Sequence, residues 1–357
     1  MADRGEIEQT GTPERDAHRL HAGIAWSAAL LVLLLAIGFA VPDLRNVLSR
    51  VAHAGPGWIV LVVALEIASC LGYVATLRLV LPRGPRREVR WLAWAEMAFG
   101  AVVPVGGAGG LAVGAWAMRA WGIPGSRIAN RSAVAFLLTS GINGAVLVLS
   151  GIGVALGLGS PHEGIEYGLV PATATIVGLG FFMALPIVFK RRGEPPKGRS
   201  MGRLLRSTAT WVTDAEELVR HPSWRLLGSV GYLLFDVAAL WACLRAVGTS
   251  PPLFAIVTGY QIGYLANLIP IPGGVGVLEG GLLGALLLYG LPAAPTAAAV
   301  VLYHAIALWV PVVGGTIGFG RLRSTLTAPA GKLEQLKPRE REREILSTPA
   351  RVDEIAA

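Results

Sequence analysis

Five ionisable side chains of this 357-residue chain stand inside otherwise apolar runs: Glu66, Glu96, Asp236, Glu279 and His304. Arg119, Arg131 and Arg245 stand near the ends of such runs. In hydrocarbon, a charged side chain costs about 3 kcal/mol on insertion scales, so groups of this kind are kept for pairing, ion handling or substrate contact. A carboxylate there can receive a cationic group, hold a coupling proton or lock two helices together, and an imidazole can relay protons. Glu279 leads the set because it follows directly on a break in its apolar segment; its bland alternative is a structural ion pair or a neutral acid bonded to backbone. His304 can pair with Glu279, titrate in a relay or simply pack. Glu66 and Asp236 read best as a structural tie or coupling element between two halves of the chain, with Arg245 near them in sequence. The arginines can bind a headgroup or snorkel to the interface.

The break lies in residues 268–289, LIPIPGGVGVLEGGLLGALLLY. Pro270 and Pro272 remove backbone donors and clash with a preceding helical turn, while Gly273 and Gly274 admit dihedrals that other residues avoid. No continuous helix can cross there. Irregular backbone at membrane depth is tolerated where protein buries it or it lines a cavity, as in transporter sites. Together with Gly276, these residues would open a half-helix whose free N–H groups attract an anion such as a phosphate headgroup. An earlier stretch repeats the design with Pro104, Gly106 and Gly107. Walker and HExxH motifs are absent, and the two cysteines, Cys70 and Cys243, form no metal-binding spacing. No catalytic constellation and no cofactor or metal site is expected, so the chain reads as something other than an enzyme.

The elements that must carry these groups are membrane spans. The chain is 53% hydrophobic and 15% charged, with a mean hydropathy of +0.57, which excludes an ordinary soluble domain. The net charge of +8 comes from basic residues in loops beside apolar spans, where the positive-inside rule explains them and nucleic acid is not needed. Spans are expected over about 21–41, 58–81, 132–158, 168–189, 224–247 and 295–320. A polar tail (1–19) precedes them and a charged tail (323–357) follows. Residues 190–222 form a long cytoplasmic loop in which Trp211, Val212, Ala215, Leu218 and Val219 recur at helical spacing, the pattern of an interfacial amphipathic helix. Arginine and lysine in the amino terminus, the 83–90 loop, the 190–206 loop and the tail put both termini in the cytoplasm. Arginine far outnumbers lysine, and alanine and glycine abound, as in a GC-rich bacterial genome.

Two units, about 57–158 and 223–320, correspond at a spacing of about 166–170 residues. Glu66 and Arg78 match Asp236 and Arg245; Pro104 with its glycines matches residues 270–276; Gly122-Ile123-Pro124 matches Gly290-Leu291-Pro292. The expected fold is therefore an all-α polytopic membrane protein with about six full transmembrane helices and two re-entrant helical hairpins in a pseudo-inverted repeat. Eight ordinary spans are the alternative.

The 268–292 motif, the following Tyr303-His304 to Pro311 span and the 104–124 unit resemble the transmembrane flippase region of lysylphosphatidylglycerol synthases and their stand-alone relatives. The resemblance covers about residues 20–322. It implies translocation of a phospholipid or polyprenyl-phosphate-linked lipid between leaflets of the bacterial cytoplasmic membrane. The synthases' soluble aminoacyl transferase domain is not matched, so transferase activity is not expected. Where relatives often carry an arginine before the glutamate of the second motif, this chain has Leu278. The expected partners are a membrane lipid as substrate, a separate lipid-modifying enzyme or a second copy of the chain, and no nucleic acid. A non-transporting scaffold for such an enzyme is the alternative function.

Overall fold

Two Gly-X-Pro turns, 168 positions apart in the sequence (290 − 122), close in the same way. In the computed structural model Gly122 and Gly290 have φ of 79° and 76°. The N–H of Ile123 bonds to Met118 O at 3.0 Å and that of Gly122 to Arg119 O at 2.8 Å. Leu291 N–H to Leu286 O at 3.2 Å and Gly290 N–H to Leu287 O at 3.0 Å repeat the pattern. Each turn is a left-handed glycine cap that satisfies the last carbonyls of one helix, with a proline just beyond that cannot extend it.

The structure describes residues 55–102, 108–158, 164–192, 200–221, 223–265 and 277–326. The expected first span, both proline-glycine breaks (Pro104, Gly106 and Gly107; Pro270, Pro272, Gly273, Gly274 and Gly276), the amino-terminal tail and most of the carboxy-terminal tail lie outside them.

All the described regular structure is helical. In order, the helices are α1 (Pro56–Val80), α2 (Arg86–Val102), α3 (Ala108–Ala120), α4 (Gly125–Gly153), α5 (Ile165–Arg192), α6 (Ser200–Arg220), α7 (Leu226–Ala246), α8 (Leu253–Tyr264), α9 (Val277–Leu288) and α10 (Ala293–Leu326). A π-helical turn, Val154–Leu158, prolongs α4. Four of these are long and apolar enough to cross a membrane: α1, α4 with its π turn, α7 and α10. By contrast α2 has 17 residues, α3 has 13, and α8 and α9 have 12 each. At 1.5 Å per residue the last three reach only about 18–20 Å of a roughly 30 Å hydrocarbon layer.

Several helix limits differ from the sequence reading. α4 starts at Gly125, seven residues before the expected 132, because extended Pro124 sets the entry and the first turns tolerate Arg127 and Arg131. α10 runs past residue 320 to Leu326, with Arg323 in a last turn where the helix dipole favours a cation. The polar loop contains α6 as expected. Its apolar side is docked on protein: Val212 and Ala215 are buried, Ala215 packs with Val80, Val134 and Leu138, and Asn130 donates to Asp214 at 2.8 Å.

Packing follows an exchange rule. Among α1–α4 and α7–α10, the helices in contact are α1 with α2, α4, α7 and α10; α2 with α3 and α10; α3 with α4; α4 with α7 and α8; α7 with α8 and α10; α8 with α9; and α9 with α10, while α5 and α6 pack on α4 and on each other outside this set. Swapping α1 for α7, α2 for α8, α3 for α9 and α4 for α10 sends every pair in that set onto another pair in it. The pair α1–α7 maps onto itself and marks the centre.

Candidate functional site

Glycine makes that centre possible. A Cβ on Gly72 would lie 2.6 Å from Gly228 O and 2.6 Å from Tyr232 N, and one on Gly228 would lie 2.7 Å from Gly72 O. Small residues let two backbones meet in this way, and hydroxyls then bond across the seam. Ser69 Oγ donates to Tyr232 O at 2.7 Å, and the Thr76 and Ser229 hydroxyls are 2.8 Å apart.

On the same two helices, near their middles, stand Glu66 and Asp236, 6% and 9% exposed. Their carboxyl groups face each other across the seam, close enough to interact directly. Asp236 has a full set of hydroxyl partners: Tyr303 Oη donates to Oδ1 at 2.7 Å and Tyr260 Oη donates to Oδ2. The Tyr264 and Tyr303 hydroxyls are 3.2 Å apart, and the Tyr260 and Tyr264 rings stack with centroids 4.6 Å apart. One acid thus gathers α1, α7, α8 and α10. The structure thus brings together Glu66 and Asp236, which the sequence offered as a tie between halves, with tyrosines it had not singled out. Arg245 is not part of it: it is exposed and donates to Ser250 Oγ in the loop after α7.

Glu96 is placed by the α2–α3 contact. Tyr73 Oη donates to its Oε2 at 2.8 Å, and the Tyr73 ring packs on Tyr232 with centroids 5.5 Å apart. The opposing surface is Gly110 and Gly114, one helical turn apart: a Cβ on Gly110 would strike Glu96 O, and one on Gly114 would strike Glu96 Oε1. In the second unit the sizes are reversed, since a Cβ on Gly263 would lie 2.7 Å from Leu282 Cα. Leu282 is Gly114 shifted by 168 positions, and Gly263 is Glu96 shifted by 167. Both short-helix pairs therefore close on a glycine, but only the first buries an acid there.

Glu279 stands in the first turn of α9, where the helix dipole favours a carboxylate. His304 Nδ1 on α10 lies 3.0 Å from its Oε1. The two side chains are 20% and 7% exposed. Tyr303 precedes His304, so adjacent residues of α10 serve the two acidic centres. Arg119 is exposed in the last turn of α3, and Arg131 donates to Val80 O, tying α4 to the end of α1. Sequence reasoning missed Tyr73, Tyr260, Tyr264 and Tyr303. The available signal was the i, i+4 spacing of Tyr260 and Tyr264 in a helix with no other large polar group but Gln261.

The family model described as the lysylphosphatidylglycerol synthase transmembrane region matches residues 22–315. Among curated proteins, the chain is similar to a UPF0104 membrane protein of Methanothermobacter thermautotrophicus, at 37% identity over 90 residues. That stretch is 25% of this chain and 26% of the archaeal protein, so the chain spans about a quarter of that relative's length.

Proposed function

We propose that this chain, which belongs to the family of lysylphosphatidylglycerol synthase transmembrane regions, moves a lipid between the leaflets of a bacterial cytoplasmic membrane. It is a multi-pass membrane protein of a family tied to phospholipid and cell-envelope metabolism. The observation that carries the reading is the exchange rule in the packing. Two units, each with two long helices around a pair of shorter ones, meet at one glycine seam. In our reading α2–α3 and α8–α9 are re-entrant hairpins that enter from opposite faces, so the units are inverted copies and six full spans surround them. Rocking one unit against the other at α1–α7 would open a polar cavity to each leaflet in turn.

The headgroup enters that cavity while the acyl chains stay in lipid. Free N–H groups at the starts of α3 and α9 take the phosphate of a phospholipid or polyprenyl-phosphate-linked lipid. Glu279 with His304 responds to the remaining charge of the headgroup or to a proton. The chain acts without chemistry on the lipid, and both termini are cytoplasmic.

Leaflet exchange of labelled phospholipid and polyprenyl-phosphate probes in liposomes containing the purified chain tests this. Exchange of one probe class, abolished by Glu279→Gln with unchanged thermal unfolding, is the expected result. Exchange that survives the substitution removes Glu279 from the mechanism. A second reading has one observation in its favour: the family is named as a region of a synthase, which suits a membrane scaffold for a lipid-modifying enzyme. Stoichiometric copurification of such an enzyme, with no probe moving in liposomes, would favour the scaffold.

A further inference from the structure

We infer that Glu66 and Asp236 form a proton site, with one proton shared between the two carboxyls and exchanged through the hydroxyls of Tyr303 and Tyr264. We further infer that its loading and unloading drives the α1–α7 seam. The second part rests on the translocation reading; the first does not.

The argument is one of unsatisfied atoms. Asp236 has a hydroxyl donor on each oxygen. Glu66 has none of that quality: its Oε1 meets only the Cys70 thiol, at 3.9 Å, and its Oε2 is buried without a hydrogen-bond partner. Yet the Glu66 carboxyl faces the Asp236 carboxyl across the seam and interacts with it directly. The groups turned toward the pair are Cys70 from α1, Tyr232 and Cys243 from α7, Tyr260 and Tyr264 from α8, and Tyr303 from α10. None is basic, and among the described residues no lysine, arginine or histidine bonds to either carboxyl. The nearest ionisable neighbour along α10, His304, is engaged with Glu279.

Two carboxylates in contact, buried in apolar surroundings without a cation, would be a strongly unfavourable state. A single proton between them supplies the missing donor to Glu66 and leaves one negative charge, which the two tyrosine hydroxyls solvate. The line Tyr264 Oη, Tyr303 Oη, Asp236 Oδ1 is a continuous hydroxyl path. It starts at Tyr264, the last residue of α8. A proton arriving at Tyr264 is passed on as each hydroxyl accepts on one side and donates its own on the other, so no tyrosinate is formed. The pair goes from two negative charges to one on loading, and the reverse on release. Glu66 and Asp236 belong to opposite units, so this change of charge acts across the seam on which those units would rock.

The experiment is infrared spectroscopy of the full chain in lipid at neutral pH, wild type against Glu66→Gln. The glutamine amide replaces the shared proton as donor to Asp236, so the variant keeps its fold, checked by thermal unfolding. The expected difference is loss of one carboxylic-acid C=O band with the carboxylate bands unchanged. Loss of a carboxylate band instead means both groups are ionised and overturns the site. Tyr303→Phe is expected to slow exchange of that acid proton in D₂O on the order of a hundredfold, the scale of a positioned proton donor; wild-type exchange overturns the relay. In liposomes, a pH difference should alter lipid exchange by the wild type and leave Glu66→Gln indifferent. Lipid exchange blind to the gradient overturns the coupling alone. An acid band in a wild type that moves no lipid keeps the proton site and defeats the translocation reading.

Discussion

Replacing Gly72 with alanine puts a methyl group into the backbone of the facing helix, and the structure sets the size of the effect. The new Cβ would sit 2.6 Å from Gly228 O and Tyr232 N and 3.0 Å from Tyr232 Cα, whereas ordinary contact begins at 3.4 Å. Backbone cannot rotate aside as a side chain can, so α1 and α7 must separate by about 0.8 Å, the difference between 3.4 and 2.6 Å. The Ser69–Tyr232 and Thr76–Ser229 bonds, at 2.7 and 2.8 Å, then stretch to the edge of hydrogen bonding. Overpacking of a tight core costs about 1–3 kcal/mol and each of the two lost hydrogen bonds about 0.5–1.5 kcal/mol, so a loss of roughly 2–6 kcal/mol is expected. Thermal unfolding of the purified protein in detergent should show Gly72→Ala melting several degrees below wild type. Gly178→Ala in α5 is the control, since nothing lies within 4 Å of its added Cβ and alanine favours the helix by about 0.5–1 kcal/mol. If Gly72→Ala melts with that control, the two units do not meet at a glycine seam.

Other perturbations probe the remaining joints. Gly122→Ala and Gly290→Ala each force a side chain to a φ near +80°, costing about 1–2 kcal/mol, and equal losses of thermal stability are expected. A silent variant at either position would break the equivalence of the turns. Gly114→Ala displaces the Glu96 carboxylate from Tyr73, and Tyr73→Phe removes the same bond, so the double variant should lose less stability than the sum of the singles. Strict additivity in that cycle would separate the two contacts. Asn130→Ala and Asp214→Ala each remove the bond docking α6 on α4, worth about 1 kcal/mol, and should speed tryptic cleavage in the 190–220 segment. Unchanged cleavage would mean α6 is held by its apolar contacts alone.

Much of this architecture is written in local chemistry. Pro124 and Pro292 beyond Gly122 and Gly290 announce a stop because proline cannot continue a helix and glycine alone enters the left-handed cap at no steric cost, so both turns were readable as equivalents before any coordinates. The amphipathic spacing of Trp211, Val212, Ala215 and Leu218 located α6, since a period of 3.6 residues is a property of the helix itself. The ionisable residues announced themselves by their cost in apolar segments. Partnership did not, because it depends on which faces of distant helices meet. Residues 66 and 236 share a carboxyl contact because Gly72 and Gly228 let two backbones touch; Tyr260 and Tyr303 then complete Asp236 from two further helices. Arg245 parallels Arg78 in sequence, yet the turn after α7 points it to Ser250 and away from the acids. Composition and spacing thus determined the apolar helices, the two glycine–proline turns and the costly groups. Tertiary packing alone decided which acid meets an imidazole, which meets tyrosines and which meets another acid, since hydrogen bonds act over about 3 Å and sequence carries no such distance.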